Sequence, residues 1–142
     1  GLGDVYKRQV MMSPPVNAKA AVGKAPYLTS KLGMTLLAMA IDAEESNISA
    51  CALWPVTAIK TAATVNLGIG GEKDWRTPEI LGDATLELIA QDPKKAAFRA
   101  WLDEDVLREL KGVTNFDHYR CDPTSEPGPF SIQMVDPDWQ RA

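Results

Sequence analysis

The chain has 142 residues, with 15 Lys+Arg against 19 Asp+Glu and a formal net charge of −4. That length suits one domain with a core of its own, and 45% hydrophobic with 24% charged residues excludes wholesale disorder. The acidic balance, without a basic cluster, points away from nucleic acid, and no apolar run reaches the roughly 20 residues of a membrane span.

Residues 1–9 (GLGDVYKRQ) match nothing that follows and carry no apolar core of a secretory leader, so they read as non-native. The domain is then expected over 10–112, with a coil-rich tail over 113–142. Val10-Met11-Met12 is the end of a buried strand. Ser13-Pro14-Pro15 stops it, because proline donates nothing to a ladder. A small polar loop spans 16–25, and Pro26 suits a first helical turn. The spacing predicts a helix over 27–45 with two apolar faces. Leu28, Leu32, Leu36 and Met39 form one, and Met34, Leu37 and Ile41 the other. Such a helix is buried on two sides, between a sheet and a partner. Its acidic end, Asp42, Glu44 and Glu45, should be well exposed, since the helix dipole disfavours acids there.

The unbroken run Ile48 to Trp54, closed by Pro55, predicts a central parallel strand. Residues 57–66 are weakly helical, and Gly68, Gly70 and Gly71 open a flexible polar stretch to Arg76. Thr77-Pro78-Glu79 starts another helix with Thr77 as its cap. Leu81, Ala84 and Leu88 give that helix a stripe, and Asp92-Pro93 ends it. Lys94-Lys95 reads as a solvated turn, Ala97 to Leu102 as a short strand, and Asp103 to Leu110 as a last helix stopped near Gly112. Strands alternating with helices mean α/β with a parallel sheet.

Tyr27 and Lys31 are four apart at a helix start, which puts both on one face, a turn apart. A free phenol keeps its proton at neutral pH, and a neighbouring ammonium favours the phenolate. Alone, the pair also fits a half-buried tyrosine beside a solvated lysine. Its setting is more specific. Ser13 ends a strand fourteen positions before Tyr27, Tyr-x-x-x-Lys follows on a helix, and the next strand ends in Pro55. This order resembles the short-chain dehydrogenase/reductase family. The stretches YLTSKLGMTLLAMAIDAEE, ISACALWPVTAIKTAA and DEDVLRELKGVTNFDHY are similar to the C-terminal half of its hydroxysteroid-dehydrogenase-like branch. The resemblance covers residues 10–122.

The resemblance implies the C-terminal half of a doubly wound, Rossmann-like parallel sheet, truncated at the N-terminus. It implies an oxidoreductase that uses NAD or NADP to move a hydride between nicotinamide and a carbonyl or secondary alcohol. Tyr27 would be the general acid in reduction and the base in reverse. Lys31 would favour the phenolate and bond the nicotinamide ribose, and Ser13 would polarise the substrate carbonyl. Pro55, Thr57 and Thr61 would contact the cofactor, and the stretch 68–76 would be a substrate lid. The helix 27–45 would pair with its twin in a homo-oligomer.

The chain also departs from the family. The glycine-rich phosphate turn, which lies upstream of the serine in that family, does not occur in it. The isolated chain is therefore expected to be inactive and to bind no NAD(P)H. Val56 stands where many members have glycine, and Lys60 occupies the fifth position after Pro55, where a threonine would be sought. Two other readings stay open: a non-catalytic dimerising or binding piece, and a structural α/β domain in which the Tyr27/Lys31 pair is coincidence. Cys51 and Cys121 form no CxxC, and His118 is the one histidine, so no metal site or disulfide framework is expected and a cytoplasmic location is the default. Cys51 reads as an inert core thiol, Cys121 and His118 as tail residues. Trp54, Trp75, Trp101 and Trp139 read as packing residues, with Trp54 able to line a pocket.

Overall fold

In chain order the elements are β1 (Lys7–Met12), α1 (Ala25–Glu44), β2 (Ile48–Trp54), β3 (Ala58–Ile59), α2 (Ala62–Asn66), β4 (Trp75–Arg76), α3 (Glu79–Ala90), β5 (Ala100–Leu102) and α4 (Asp103–Lys111). They come from a computed structural model that describes residues 7–15, 23–93 and 99–129. Most of the expected 16–25 loop, Lys94-Lys95, Trp139 and the far tail lie outside the described residues.

β1, β2 and β5 form a parallel sheet in the order β1-β2-β5, so β2 is the middle strand. Side chains alternate across a strand, and β2 uses both faces. Cys51 and Leu53 join a core with Ile80, Ala84 and Leu88 of α3 and Val106 and Leu107 of α4. Ala50 instead meets Ala38, Met34 and Ile41 of α1, together with Met11 of β1. The result is three layers, with α1 on one side of the sheet and α3 and α4 on the other. The small Ala50 and Ala38, both 0% exposed, let α1 approach closely. Fully buried leucines such as Leu53 and Leu107 each contribute roughly 2 kcal/mol by leaving water. α4 ends at Gly112, whose φ of +73° is the left-handed conformation that glycine adopts without a Cβ clash.

Several expectations need correction. β1 begins at Lys7, three residues before the expected boundary, and Lys7, Arg8 and Gln9 pair with Ile48, Ser49 and Ala50. Ladder pairing uses main-chain groups, so an unremarkable sequence can extend a strand. Arg8 goes further: its guanidinium donates to the carbonyls of Leu88, at 3.3 Å, and Gln91, at the end of α3. In this single chain the sheet covers one side of α1, and the side expected to meet a partner is open. Leu28, Thr35 and Ala38 are buried, whereas Leu36 and Leu37 are half exposed. Glu44 and Glu45 are exposed as expected, but Asp42 accepts the Ala50 N–H at 2.8 Å and is half-buried.

The stretch after Pro55 is not one weak helix. β3 precedes α2 and pairs in parallel with β4. The polar stretch from Gly68 also closes sooner than expected, because Trp75 and Arg76 are a buried strand. Thr77 does not cap α3 with its side chain. Pro78 holds the cap position without a side-chain bond, and the Thr77 hydroxyl serves Glu79, holding that carboxyl below its ordinary range.

Candidate functional site

Tyr27 and Lys31 lie in the first two turns of α1, with Pro26 at its start. Their side chains share a face: the Lys31 ammonium stands 5.9 Å from the Tyr27 ring centroid. Tyr27 is 55% exposed, so the phenol faces solvent. Lys31 reaches the other way, and its Nζ donates to the Met12 carbonyl at 3.3 Å, at the end of β1. Ser13 follows directly and is buried. Its N–H bonds the Leu53 carbonyl at 3.1 Å, which continues the ladder beyond β1. Its hydroxyl donates to the Lys31 carbonyl at 2.7 Å and accepts from Thr35 Oγ1 at 3.1 Å. Thr35 in turn accepts the indole N–H of Trp54 at 3.1 Å.

The structure therefore brings Tyr27, Lys31 and Ser13 to one corner, where the end of β1 meets the start of α1. It also adds two residues that sequence reasoning missed. Nothing in the α1 pattern distinguishes Thr35 from any other helix residue. Trp54 packs with Ala52 and Ala100, as expected of it, and its indole N–H is in addition tied into this corner.

A search for similar proteins places the chain. Hydroxysteroid dehydrogenase-like protein 2 of Xenopus tropicalis is 35% identical over 116 residues, 79% of this chain and 27% of that protein. The Homo sapiens protein of the same name is 36% identical over 116 residues, with the same shares of 79% and 27%. A short chain dehydrogenase from Mycobacterium thermoresistibile superposes with a TM-score of 0.71 at 35% identity, over 92% of this chain and 47% of that one. A chain described as a dehydrogenase from Xanthomonas campestris gives a TM-score of 0.75 at 26% identity, over 90% and 48%. This chain is a relative of the short-chain dehydrogenases. No family model matches it. It spans about a quarter of the length of the curated relatives it matches and about half of the solved chains. Its parallel α/β sheet is that of the Rossmann-like short-chain dehydrogenases.

The residues that a short-chain dehydrogenase would turn to a nicotinamide cofactor fit unequally. Among the described residues Lys31 Nζ has one acceptor, leaving N–H groups for ribose hydroxyls beside Tyr27. Pro55 is half-buried at the end of β2. Thr57 is buried, and its hydroxyl lies 3.4 Å from the Ala58 carbonyl. Thr61 caps α2, its Oγ1 accepting the Thr64 N–H at 3.3 Å. The neighbouring Val56 N–H goes to Asp103 Oδ1 at 3.0 Å.

Val56 also lines a cleft of about 460 Å³ with Arg76, Glu104, Arg108, Phe116 and Glu126. Tyr27, Lys31 and Ser13 are not part of that cleft. Arg76 is buried there, ion-paired with Glu104 and, at 3.4 Å, with Glu126. Cys51 is the inert thiol expected, since burial pushes it up to about 11. Cys121 is half-buried, and burial raises it as well. His118 is exposed, its ring 3.8 Å from that of Tyr119. Among the described residues no cluster of His, Cys, Asp and Glu could hold a metal, and no helix is long and apolar enough to cross a membrane.

Proposed function

We propose that the protein carrying this chain is an oxidoreductase that transfers a hydride between NAD or NADP and a small-molecule carbonyl or secondary alcohol. The observation that supports this most is the Tyr27/Lys31 pair, with its ammonium 5.9 Å from the phenol ring, in a chain related to short-chain dehydrogenases. Tyr27 holds the substrate oxygen and gives it a proton during reduction, or takes one during oxidation. Lys31 stands beside the phenol and donates to the ribose. Ser13 belongs to the same site, at the strand end against the same helix turn. Pro55 borders the nicotinamide end, with Thr57 and Thr61 further along the same segment. When bound, the dinucleotide supplies or accepts the hydride. The uncovered Leu36 and Leu37 on α1 suit packing against a second copy of the chain.

The test is Tyr27→Phe in the full-length protein, assayed for carbonyl reduction with NADH and with NADPH. The variant should lose roughly 100-fold or more in turnover, the scale of a positioned proton donor. Turnover equal to the parent's would remove the oxidoreductase reading and leave the pair as coincidence.

A further inference from the structure

We propose that Arg76 and Arg120 build a binding site for the carboxylate of a small apolar acid, and that the chain's own Glu126 fills it until such a ligand turns that side chain out. The two arginines are neighbours through an antiparallel backbone bridge. The Glu126 carboxylate lies across both: Oε1 accepts from Arg76 Nη2 at 3.4 Å, and Oε2 accepts from Arg120 Nη2. The fit is incomplete. The Nε groups of Arg76 and Arg120 are both buried and have no acceptor among the described residues. In a guanidinium, Nε and Nη2 donate in parallel along one edge, the fork that takes both oxygens of a carboxylate. Glu126 meets that edge of Arg76 with one long bond, which leaves a buried donor over, and protein interiors avoid that. The other end of the Arg76 guanidinium is taken: Nη1 donates to Glu104, which also accepts from Arg108 at 2.8 Å. With Glu126 turned away, the Nε–Nη2 edge of a side chain only 4% exposed has no acceptor among the described residues.

Glu126 is the weakly held member. Its side chain is 60% exposed, whereas the backbone beside it is anchored by Ser125 Oγ, which donates to the Lys73 carbonyl at 2.8 Å. Turning the side chain out therefore leaves the backbone in place. Arg76 lines the cleft of about 460 Å³, where Val56, Phe116 and Pro127 supply apolar wall. That volume suits a ligand with several carbons behind its carboxylate. Val56 and Glu104 stand just past the ends of β2 and β5. The cleft thus lies at the carboxyl ends of parallel strands, where open α/β sheets bind their ligands. Tyr27 and Lys31 do not line it, so this site stands apart from the proton-transfer pair.

The experiment titrates hexanoate, and its neutral counterpart hexanamide, into the full-length protein by calorimetry. The parent is compared with Glu126→Gln, and Arg76→Lys and Arg120→Gln are each made in the Glu126→Gln background. Glu126→Gln should bind hexanoate about fivefold more tightly than the parent, the scale of removing an exposed competing charge. Hexanamide should bind that variant about tenfold or more weakly than hexanoate does, because it offers no charge to the forks. Arg76→Lys, which replaces a fork by a point charge, and Arg120→Gln should each weaken hexanoate binding by about tenfold or more. The proposal is overturned if Glu126→Gln shows no saturable hexanoate binding, if it binds hexanoate no better than the parent, or if acid and amide bind equally. It is overturned as well if hexanoate binding survives both arginine changes and is lost in Tyr27→Phe, which assigns the ligand to the other site. Glu126 is exposed, so its replacement leaves the fold intact, and the acid–amide comparison decides even where an arginine variant fails to fold.

Discussion

Asp103 opens α4 with its side chain wholly buried. Its Oδ1 accepts the N–H groups of Val56, at 3.0 Å, and Glu104, at 2.8 Å, while Oδ2 has no partner among the described residues. Burial pushes the carboxyl up to about 6 from 3.8, against the pull of those two N–H bonds. A carboxyl raised on folding stabilises the fold fully below its unfolded value. That contribution is lost as pH climbs through its folded value. From pH 4 to 7 the loss is on the order of 2–3 kcal/mol. Asp103→Asn keeps an oxygen for both N–H groups and removes the charge. Urea unfolding across that range should therefore show a flatter pH dependence for the variant than for the parent. Equal slopes would mean that Asp103 does not titrate in this way. The residue scale also shows the limit of reading the sequence. Tyr27 and Lys31 were legible because a spacing of four is itself geometry. Asp103 looked like any acid at a helix start, and Thr35 like any helix threonine. Their roles come from what β2 and the Pro55–Val56 turn bring to them.

Among the elements, length decided what could be read. β2 was legible as seven residues without alternation, and α4 by its stop at Gly112. β3 and β4 have two residues each, too few to show a period, so the burial of Arg76 came unannounced. Arg76 ties β4 to α4 through Glu104 and lies 5.4 Å from the Phe116 ring centroid. Burial pushes the Glu104 carboxyl up, but hydrogen bonds from Arg108 and Arg76 outweigh it and hold the group below its ordinary range. The two arginines differ in setting: the Arg76 side chain is 4% exposed, that of Arg108 48%. Arg76→Met should destabilise by about 3 kcal/mol, since a half-buried carboxylate loses its buried partner. Arg108→Ala should cost less than about 1 kcal/mol, as exposed pairs do. Comparable losses in urea unfolding would contradict this division.

At the scale of the molecule, β2 is paired on both sides, whereas among the described residues β1 and β5 each have one partner strand. Lys31 and Tyr27 sit at the β1 side of a sheet that has three strands among the described residues. The family's phosphate-binding turn is not among these 142 residues. Titration calorimetry of the isolated chain should accordingly show no saturable uptake of NADPH. Micromolar binding would mean that the corner around Lys31 and Pro55 holds the cofactor by itself.

The order in which β2 acquires its neighbours matters during synthesis. β1 and α1 are already made when Trp54 leaves the ribosome, so one face of β2 can be covered at once. The other face, with Cys51 and Leu53, waits for α3, and the strand's second edge waits for Ala100–Leu102. At ordinary elongation rates of about 5–20 residues per second, that wait lasts several seconds. For that time the nascent chain carries an apolar half-sheet whose β2 edge is raw. A chaperone that recognises exposed apolar strands would have its opportunity then, before α3 and α4 close over the sheet.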